Sequence, residues 1–322
     1  MRAKRLVIVT PAAPGSRSGN RNTAVRWARI LRGLGYRVDI DTAWRGTACD
    51  LFIALHARRS HDSLQAFRAA HPHVPTVLAL TGTDLYRDIH TTPEAQESLT
   101  LAHRFVALQE AAPAELGPAL RHKLHVIYQS ELARHPWSPP RRFFRVSVLG
   151  HLREEKDPFR CALALRKIPD ATSIRLVHAG KPMSPEMERE ARWLMAQDAR
   201  YRWIGEVPHW RALKLLACSH VMAISSRMEG GAHVVSEAIA HGVPVIASDI
   251  AGNRGMLGDD YPGYYPLQDE DTLAALLTRA AADAAYLVEL HARVAARRPL
   301  IEPAREVEAW RVLLAELGFN AS

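Results

Sequence analysis

Short apolar runs alternate with segments of helical spacing along the whole chain. In the first half these runs are rich in Val, Ile and Leu and end at turn residues or charges, which predicts buried strands over 6–10, 37–41, 51–55, 76–80, 104–107 and 124–127. Between them, apolar residues recur at helical spacing over 23–34 and 63–70. Strands that alternate with helices form a parallel sheet covered on both faces, so the pattern predicts an α/β fold.

A proline-rich segment divides the pattern into two halves. Three prolines fall within 136–140, and because proline removes a backbone donor and fixes φ, this segment is typical of a linker. The alternation then restarts, with strands predicted over 145–149, 173–178, 201–204, 221–224 and 243–247, and helices over 185–196, 210–217, 232–241, 273–285 and 304–318. We therefore expect two Rossmann-like domains, 1–135 and 143–303, followed by a C-terminal helix within 304–322.

The charge, the cysteines and the length of the apolar stretches exclude several classes of function. The chain has 322 residues and is 48% hydrophobic, which suffices for two buried cores. Its 42 basic and 34 acidic residues give a net charge of +8, but the charges are scattered, so nucleic acid is not an expected partner. The three cysteines show no metal-ligand spacing, and no apolar stretch approaches the ~18 residues of a membrane span. We expect a cytoplasmic protein without stable membrane association.

The most informative motif follows the strand predicted over 221–224. Gly230 and Gly231 form a turn that lets the backbone approach a ligand closely, and the next helix presents free N–H groups to an anion. Glu237 lies roughly 8 Å along that helix, at a distance where its carboxylate could accept hydrogen bonds from a nucleoside ribose if a diphosphate occupied the helix start. Glu229, in the turn, would instead face a sugar. The alternative is an ordinary turn with a solvent-facing Glu237.

A second motif follows the first strand of the second half. Gly150 is followed by His151, Arg153 and Lys156, and fixed cations here would stabilise the charge that builds on a leaving diphosphate. The alternative interpretation is that these cations only form ion pairs on the surface with the acidic residues beside them.

Three loops of the first half also lie at predicted strand ends. Ligands of open parallel sheets bind beyond the carboxyl ends of the strands, which makes these loops candidate sites. The loop after the first strand resembles an anion-binding helix start; the loops after the third and fourth strands add further polar groups. The candidates are Gly15, Ser16, Arg17, Gly19, Asn20 and Arg21 in the first loop, His56, Arg58 and Arg59 in the second, and Thr81 in the third.

The stretch from Glu229 to Ile246 resembles the signature of the retaining glycosyltransferases of family 4, the superfamily of glycogen synthase and sucrose synthase. The pattern of two glutamates separated by seven residues, then Ala, Gly and Pro-Val-Ile, is matched by Glu229, Glu237, Ala238, Gly242, Pro244, Val245 and Ile246. This resemblance implies a GT-B fold, in which two Rossmann-like domains face each other across a cleft and the C-terminal helix packs back on the first domain.

The same resemblance implies roles for individual residues. Glu229 and the amides of Gly230 and Gly231 would meet the donor sugar, and Glu237 would bind the ribose. Lys156 would hold the diphosphate. His151 stands where the family has an arginine, and Arg153 is the nearest guanidinium, so either could take that role. His56 would contact the donor sugar, which makes the expected catalytic set Glu229, Lys156 and His56.

Five motifs spread along nearly the whole chain resemble one subgroup, the selenosugar synthases of the selenoneine pathway. They are the glycine-containing loop at 10–23, Leu-His-Ala-Arg-Arg-Ser at 55–60, Leu-Thr-Gly-Thr-Asp-Leu-Tyr at 80–86, Val-Ile-Tyr-Gln-Ser at 126–130 and Gly-His-Leu-Arg-x-x-Lys-Asp-Pro at 150–158. This resemblance implies UDP-glucose or UDP-N-acetylglucosamine as donor and selenophosphate as acceptor, with Gly15, Ser16, Gly19, Asn20, Arg21, Arg58 and Thr81 as acceptor-binding candidates. We expect no cofactor and no metal, since the UDP-sugar is a substrate. Two alternatives are a family-4 transferase acting on a hydroxyl acceptor and a non-catalytic nucleotide-sugar sensor.

Overall fold

The computed structural model describes residues 3–16 and 18–319, and the chain separates into two compact units. The first unit comprises residues 1–128 and 304–322, and the second comprises 129–303. Each unit is built on its own parallel sheet. None of the helices in the described part of the chain is long and apolar enough to cross a membrane.

The sheet of the first unit holds six parallel strands among the described residues. The strands are β1 (Arg5–Val9), β2 (Arg37–Asp41), β3 (Leu51–Leu55), β4 (Thr76–Leu80), β5 (Arg104–Ala107) and β6 (Leu124–Val126), in the order β2-β1-β3-β4-β5-β6. The direction of strand order reverses between β1 and β3, which makes the edge beyond Val9 and Leu55 the place where an open α/β sheet binds ligands.

The sheet of the second unit likewise holds six parallel strands within the described ranges. They are β7 (Phe144–Leu149), β8 (Ile174–Ala179), β9 (Tyr201–Trp203), β10 (Val221–Ile224), β11 (Val245–Ser248) and β12 (Tyr264–Tyr265), in the order β12-β11-β10-β7-β8-β9. Here the reversal lies between β7 and β10, which pair side by side. The loops that follow these two strands carry the two strongest motifs of the second half.

Helices cover both faces of each sheet. Those of the first unit are α1 (Gly19–Gly33), α2 (His61–Ala70), α3 (Ile89–Thr91), α4 (Pro93–Leu101) and α5 (Pro118–Arg121), and a π-helical turn occupies Asp84–Asp88. Those of the second are α6 (Arg160–Leu165), α7 (Pro185–Gln197), α8 (His209–Ala217), α9 (His233–His241), α10 (Ala251–Leu257), α11 (Glu270–Ala282) and α12 (Ala284–Ala296). Local sequence sets several of these bounds; Gly242, for example, ends α9 in the left-handed conformation, with φ 69°.

The last helix, α13 (Pro303–Glu316), packs on the first sheet, as predicted. The Trp27 and Trp310 rings meet edge to face, 5.0 Å apart, in a core that α1 and α13 share over one face of the sheet. Arg26 Nη1 donates to Glu306 Oε2 at 3.0 Å within the same unit. On the opposite face, α2 packs through Phe67, which stacks on Phe52 of β3.

Two helices differ from the sequence prediction for identifiable reasons. Helix α1 begins at Gly19, not near Thr23, because Ser18 caps it and the first turn, which is polar, gives no apolar signal. The helix expected over 273–285 ends at Ala282, because Asp283 turns the backbone and its side chain accepts the N–H groups of Ala285 and Tyr286 to start α12. Gly19, Asn20 and Arg21 are therefore helical residues and not loop residues.

Candidate functional site

The loops after β7 and β10 are joined to each other by hydrogen bonds. The N–H of Arg227 donates to the carbonyl of Glu155 at 2.9 Å, and Ser225 Oγ donates to the carbonyl of Asp157 at 2.7 Å. Asp157 itself adopts the left-handed conformation, with φ 43°, which turns the chain back at the end of the 3-10 turn Glu154–Lys156. Because both loops are held at the sheet's reversal point, their side chains face one common site.

Lys156 and Glu229, the two residues predicted to act on the donor, form a direct ion pair between these loops. Ser226 Oγ also donates to Glu229 Oε1, at 2.5 Å, so the carboxylate is held from two sides. The Glu229 side chain is 8% exposed and that of Lys156 is 23% exposed. A partly exposed ammonium beside an oriented carboxylate can exchange its partner for an incoming anion, which suits a diphosphate-binding group.

A glycine of α10, the second helix after this turn, lies directly against the turn. Gly252, the second residue of α10, is so close to the chain at Glu229 that a Cβ atom on it would overlap the Glu229 carbonyl oxygen. Gly231 has φ 137°, a region open to glycine. The position of Glu229 therefore depends on glycines both within and outside its own turn. Sequence reasoning identified Gly230 and Gly231 but missed Gly252, which stands 23 residues after Glu229 and carries no local signal.

Glu237 lies inside α9 and is mostly buried, so the alternative of a solvent-facing glutamate is wrong. His209, the first residue of α8, donates from Nε2 to Glu237 Oε1 at 2.7 Å. This hydrogen bond raises the pKa of the His209 imidazole. Glu237 thus has an oriented carboxylate at the site, as its predicted ribose role requires. His209 was missed from the sequence because nothing local marks it.

His151 does not offer the positive charge of the arginine that it replaces. Its Nδ1 accepts the N–H of Lys181 at 3.1 Å, and burial lowers the pKa of its imidazole. A neutral ring with an occupied Nδ1 leaves one N–H, at Nε2, for an anion. Arg153 lies nearby with its side chain exposed, at the cap of the Glu154–Lys156 turn.

Beneath this loop, a buried histidine fixes the backbone of Gly150. His178 Nε2 lies 3.2 Å from the Gly150 carbonyl, which can only accept, so Nε2 carries the proton; Nδ1 then accepts from the Tyr201 hydroxyl at 3.3 Å. Burial lowers the pKa of His178 to about 4. The neutral ring therefore supports the loop after β7 from below, a role that nothing in the sequence indicated.

This depressed pKa makes His178 a source of acid sensitivity. In the unfolded chain His178 has its ordinary pKa of 6.5, so between pH 6.5 and pH 4 it is protonated in the unfolded chain and neutral in the folded protein. The free energy of unfolding therefore falls as the pH drops through this range. We expect wild type to lose about 2 kcal/mol more than His178→Asn between pH 7.5 and pH 5, measured by urea unfolding. His122→Asn, at an exposed position, is the control and should behave as wild type. Equal acid losses in wild type and His178→Asn would contradict this role.

In the first unit, the structure brings the predicted loops together at the reversal point of the sheet. Thr81 Oγ1 donates to Asn20 Oδ1 at 2.8 Å, which joins the loop after β4 to the start of α1. Gly15 adopts φ 79°, and Ser16 Oγ accepts the N–H of Ser18 at 3.1 Å. Arg17 lies outside the described residues. Gly19 is exposed at the first residue of the helix.

Two buried carboxylates organise the loop that carries His56. Asp84 accepts the N–H groups of Ala57, Thr81 and Gly82 at 3.0, 3.1 and 2.8 Å, which holds the ends of β3 and β4 together. Asp88 accepts from Arg58 Nε at 3.1 Å and lies 3.7 Å from His56 Nε2. Asp84 stands in the Thr81-Gly-Thr-Asp motif, so the signal for it was present in the sequence.

His56 sits in a strained and buried position. It is a non-glycine residue with φ 78°, its ring is 4% exposed, and Nε2 lies 3.3 Å from Thr83 Oγ1. Burial lowers the pKa of its imidazole. Strain of this kind persists where surrounding structure fixes it, and it concentrates at functional sites.

The two arginines proposed for an anionic acceptor differ in their surroundings. Arg58 forms an ion pair with Asp88, a carboxylate that it shares with Arg87 Nε at 3.0 Å, and this pairing weakens the expectation that Arg58 binds an anion. Arg21 lies in the first turn of α1, where its Nη1 is buried and has no hydrogen-bond partner among residues 3–16 and 18–319. A buried guanidinium nitrogen without a partner costs free energy, and an anion would satisfy it once a rotation of the side chain exposes this nitrogen.

The comparisons with known proteins agree with this architecture. Residues 131–297, just over half of the chain, match the family model described as Glycosyl transferases group 1. The chain belongs to this family of group 1 glycosyl transferases.

Solved structures share the fold over nearly the full chain. Anabaena HepE in complex with UDP and glucose is 14% identical, with TM-score 0.76 and coverage of 97% of this chain and 100% of that one. The sucrose-phosphate synthase of Thermosynechococcus elongatus is 16% identical, with TM-score 0.78 and coverage of 98% and 99%. A glycosyltransferase from Rickettsia africae is 12% identical, with TM-score 0.77 and coverage of 99% and 100%. The predicted GT-B fold is thereby confirmed.

Proposed function

We propose that this protein is a family-4 glycosyltransferase that uses a UDP-sugar, UDP-glucose or UDP-N-acetylglucosamine, to glycosylate selenophosphate. One observation carries the donor half of this proposal: Lys156 and Glu229 pair at the reversal point of the second sheet, with Glu237 inside the adjoining helix. The Anabaena relative is titled as binding UDP and UDP-glucose, which supports a nucleotide-sugar donor here. The acceptor half depends on the sequence resemblance to selenosugar synthases and on the surroundings of Arg21.

The residues of the second unit take distinct roles toward the donor. Lys156 leaves Glu229 for the diphosphate and stabilises its growing charge, while Glu229 and the amides after it position the sugar. The carboxylate of Glu237 replaces its bond to His209 with hydrogen bonds from the ribose diol. Because His151 is neutral, Arg153 is the better candidate for the second cation on the diphosphate.

The reaction balances without a cofactor. A selenium lone pair of selenophosphate attacks C1 of the sugar, the C1–Se bond forms, and the C1–O bond breaks so that UDP leaves with its electron pair. Water then cleaves the P–Se bond and yields the 1-selenosugar and inorganic phosphate. Donor and acceptor are both anions, so cations must offset their repulsion.

One observation favours a different acceptor. A hydroxyl must lose its proton as it attacks, and His56 could accept that proton at Nδ1 once this nitrogen releases the N–H of Arg59, which it accepts at 3.3 Å; Asp88 lies 3.7 Å from Nε2, on the other side of the ring. A selenophosphate acceptor needs no such base. A family-4 transferase acting on a hydroxyl of a saccharide, lipid or small molecule is therefore the second candidate.

The two candidates are separated by their products. Enzyme, selenophosphate and each common UDP-sugar are mixed and the products analysed by mass spectrometry, with simple sugar and polyol hydroxyl acceptors in parallel. The proposal expects a selenosugar and one equivalent of free UDP. If only hydroxyl acceptors turn over, the second candidate replaces it; if no UDP-sugar is consumed with any acceptor while UDP still binds, a nucleotide-sugar sensor remains.

The acceptor arginines give a sharper prediction within this assay. We expect Arg21→Ala to lower kcat/KM for selenophosphate by about 10- to 100-fold, the loss of one or two charge-assisted hydrogen bonds, with UDP affinity nearly unchanged. Arg58→Ala should cost less, because Arg58 is already paired with Asp88. Equal turnover of wild type and Arg21→Ala at low selenophosphate concentration would contradict this assignment.

A further inference from the structure

Two carboxylates and two imidazoles cluster at the start of α9. His233, the first residue of this helix, places Nε2 3.2 Å from Glu131 Oε2 and 3.9 Å from Glu237 Oε1. His209 Nε2 lies 2.7 Å from the same oxygen of Glu237. One ligand atom each from Glu131, His233 and Glu237 lies within 4.8 Å of the other two. All four residues belong to the second unit.

This spacing is close to what a metal ion requires. Zn²⁺ binds nitrogen and oxygen ligands at about 2.1 Å in a tetrahedron, which places neighbouring ligand atoms about 3.4 Å apart. The separations from His233 Nε2, 3.2 and 3.9 Å, bracket that value. Small rotations of these three side chains would bring their ligand atoms to that spacing.

The burial of the acids adds an electrostatic reason. The side chains of Glu131 and Glu237 are 7% and 9% exposed, and a cation bound between two carboxylates so close would lower their mutual repulsion more than the exposed Arg134, whose Nε lies 3.9 Å from Glu131 Oε1. The histidines are 32% and 58% exposed, so an ion can reach the cluster from their side. Imidazole and carboxylate together suit Zn²⁺, whereas Mg²⁺ prefers oxygen ligands in an octahedron.

We propose that Glu131, His233 and Glu237 form a binding site for Zn²⁺ or a similar transition-metal ion, and that this ion competes with the nucleotide. The metal would occupy the carboxylate of Glu237, so it acts as an inhibitor and not as a catalytic cofactor. The competition rests on the proposed ribose role of Glu237; the metal site itself does not. We expect micromolar affinity, because His233 Nδ1 has no hydrogen-bond acceptor among the described residues to orient the ring.

The metal site is tested on untagged, chelator-treated protein by competition with a chromophoric zinc indicator. Wild type should bind one Zn²⁺, Glu131→Gln at least about 10-fold more weakly, and Mg²⁺ should not compete. His233→Asn is the second variant in case Glu131→Gln fails to fold. Glu115→Gln is the matched control, because Glu115 pairs with His90 at 3.2 Å elsewhere in the chain. Equal zinc affinity in wild type and both site variants overturns the site.

The competition is tested by titrating UDP at increasing Zn²⁺. The apparent Kd of UDP should rise more steeply with zinc for wild type than for Glu131→Gln, whose smaller rise measures the zinc that UDP binds in solution. If zinc binds but leaves UDP affinity unchanged, the competition is overturned together with the ribose role of Glu237. If UDP never binds, the proposed donor fails, while the zinc titration still decides the metal site.

Discussion

Replacing Lys156 by alanine is expected to lower kcat for glycosyl transfer by about 10²- to 10³-fold. The ammonium lies in the site beside Glu229 and would stabilise charge that develops only as the sugar–phosphate bond breaks, and losing one such preorganised group typically costs about 3–4 kcal/mol. The loss should appear mainly in kcat, with a smaller change in KM for the UDP-sugar. Initial rates of UDP release at saturating acceptor measure it.

A second lysine of the same unit serves as the control for this variant. Lys167 also forms an ion pair, with Asp271 at 2.7 Å, but it lies on the surface. Lys167→Ala should keep wild-type turnover, since exposed ion pairs contribute little to stability. A Lys156→Ala enzyme that keeps more than a tenth of wild-type kcat, with an unchanged melting temperature, would show that Lys156 does not stabilise the leaving group.

Gly252→Ala is expected to reduce turnover by more than about 100-fold, although Gly252 would touch neither substrate. The added methyl group would overlap the carbonyl oxygen of Glu229, so the turn that carries Glu229 must shift. A misplacement of about 1 Å in a catalytic group can cost about 10²-fold, and forced overpacking typically costs about 1–3 kcal/mol of stability. Turnover assays and urea unfolding measure the two effects.

Gly33→Ala is the matched control for this substitution. Gly33 is also helical, and a Cβ atom there would meet nothing within 4 Å. This variant should keep full activity and gain up to about 1 kcal/mol of stability, because alanine restricts the unfolded chain. If Gly252→Ala keeps wild-type turnover, the close approach of α10 does not set the position of Glu229.

The strands could be predicted from the sequence because parallel strands buried on both faces are nearly continuous apolar runs. β3, for example, is buried along its whole length and was predicted with its observed bounds. Prediction failed where polar residues start a helix. The beginning of α1 is set by the Ser18 side chain, which accepts the N–H of Arg21, and the division between α11 and α12 is set by Asp283. A two-residue strand such as β12 is too short to show a pattern of apolar residues in the sequence.

The candidate site could be predicted only where one local motif contains both the backbone signal and the side chain. Lys156 and Glu229 lie in loops that follow strands, and Glu237 lies in the helix after one of these loops, so local motifs indicated all three. His209 reaches Glu237 from another helix, 28 residues away in sequence, and His178 supports Gly150 at the same separation. Such contacts depend on tertiary packing. The ion pair of Arg58 with Asp88 also depends on tertiary packing, and it makes Arg58 a weaker candidate for binding the acceptor than the sequence indicated.

The central claim, a nucleotide site built on the turn at Glu229 and the helix that follows it, is tested most directly by calorimetry with UDP. Wild type should bind UDP with the same affinity in the presence and absence of a chelator, and Glu237→Ala should bind at least about 10-fold more weakly through loss of the ribose hydrogen bonds. Glu190→Ala, at an exposed position of α7, should bind as wild type. Absence of UDP binding to wild type, or equal binding by Glu237→Ala, would contradict the account.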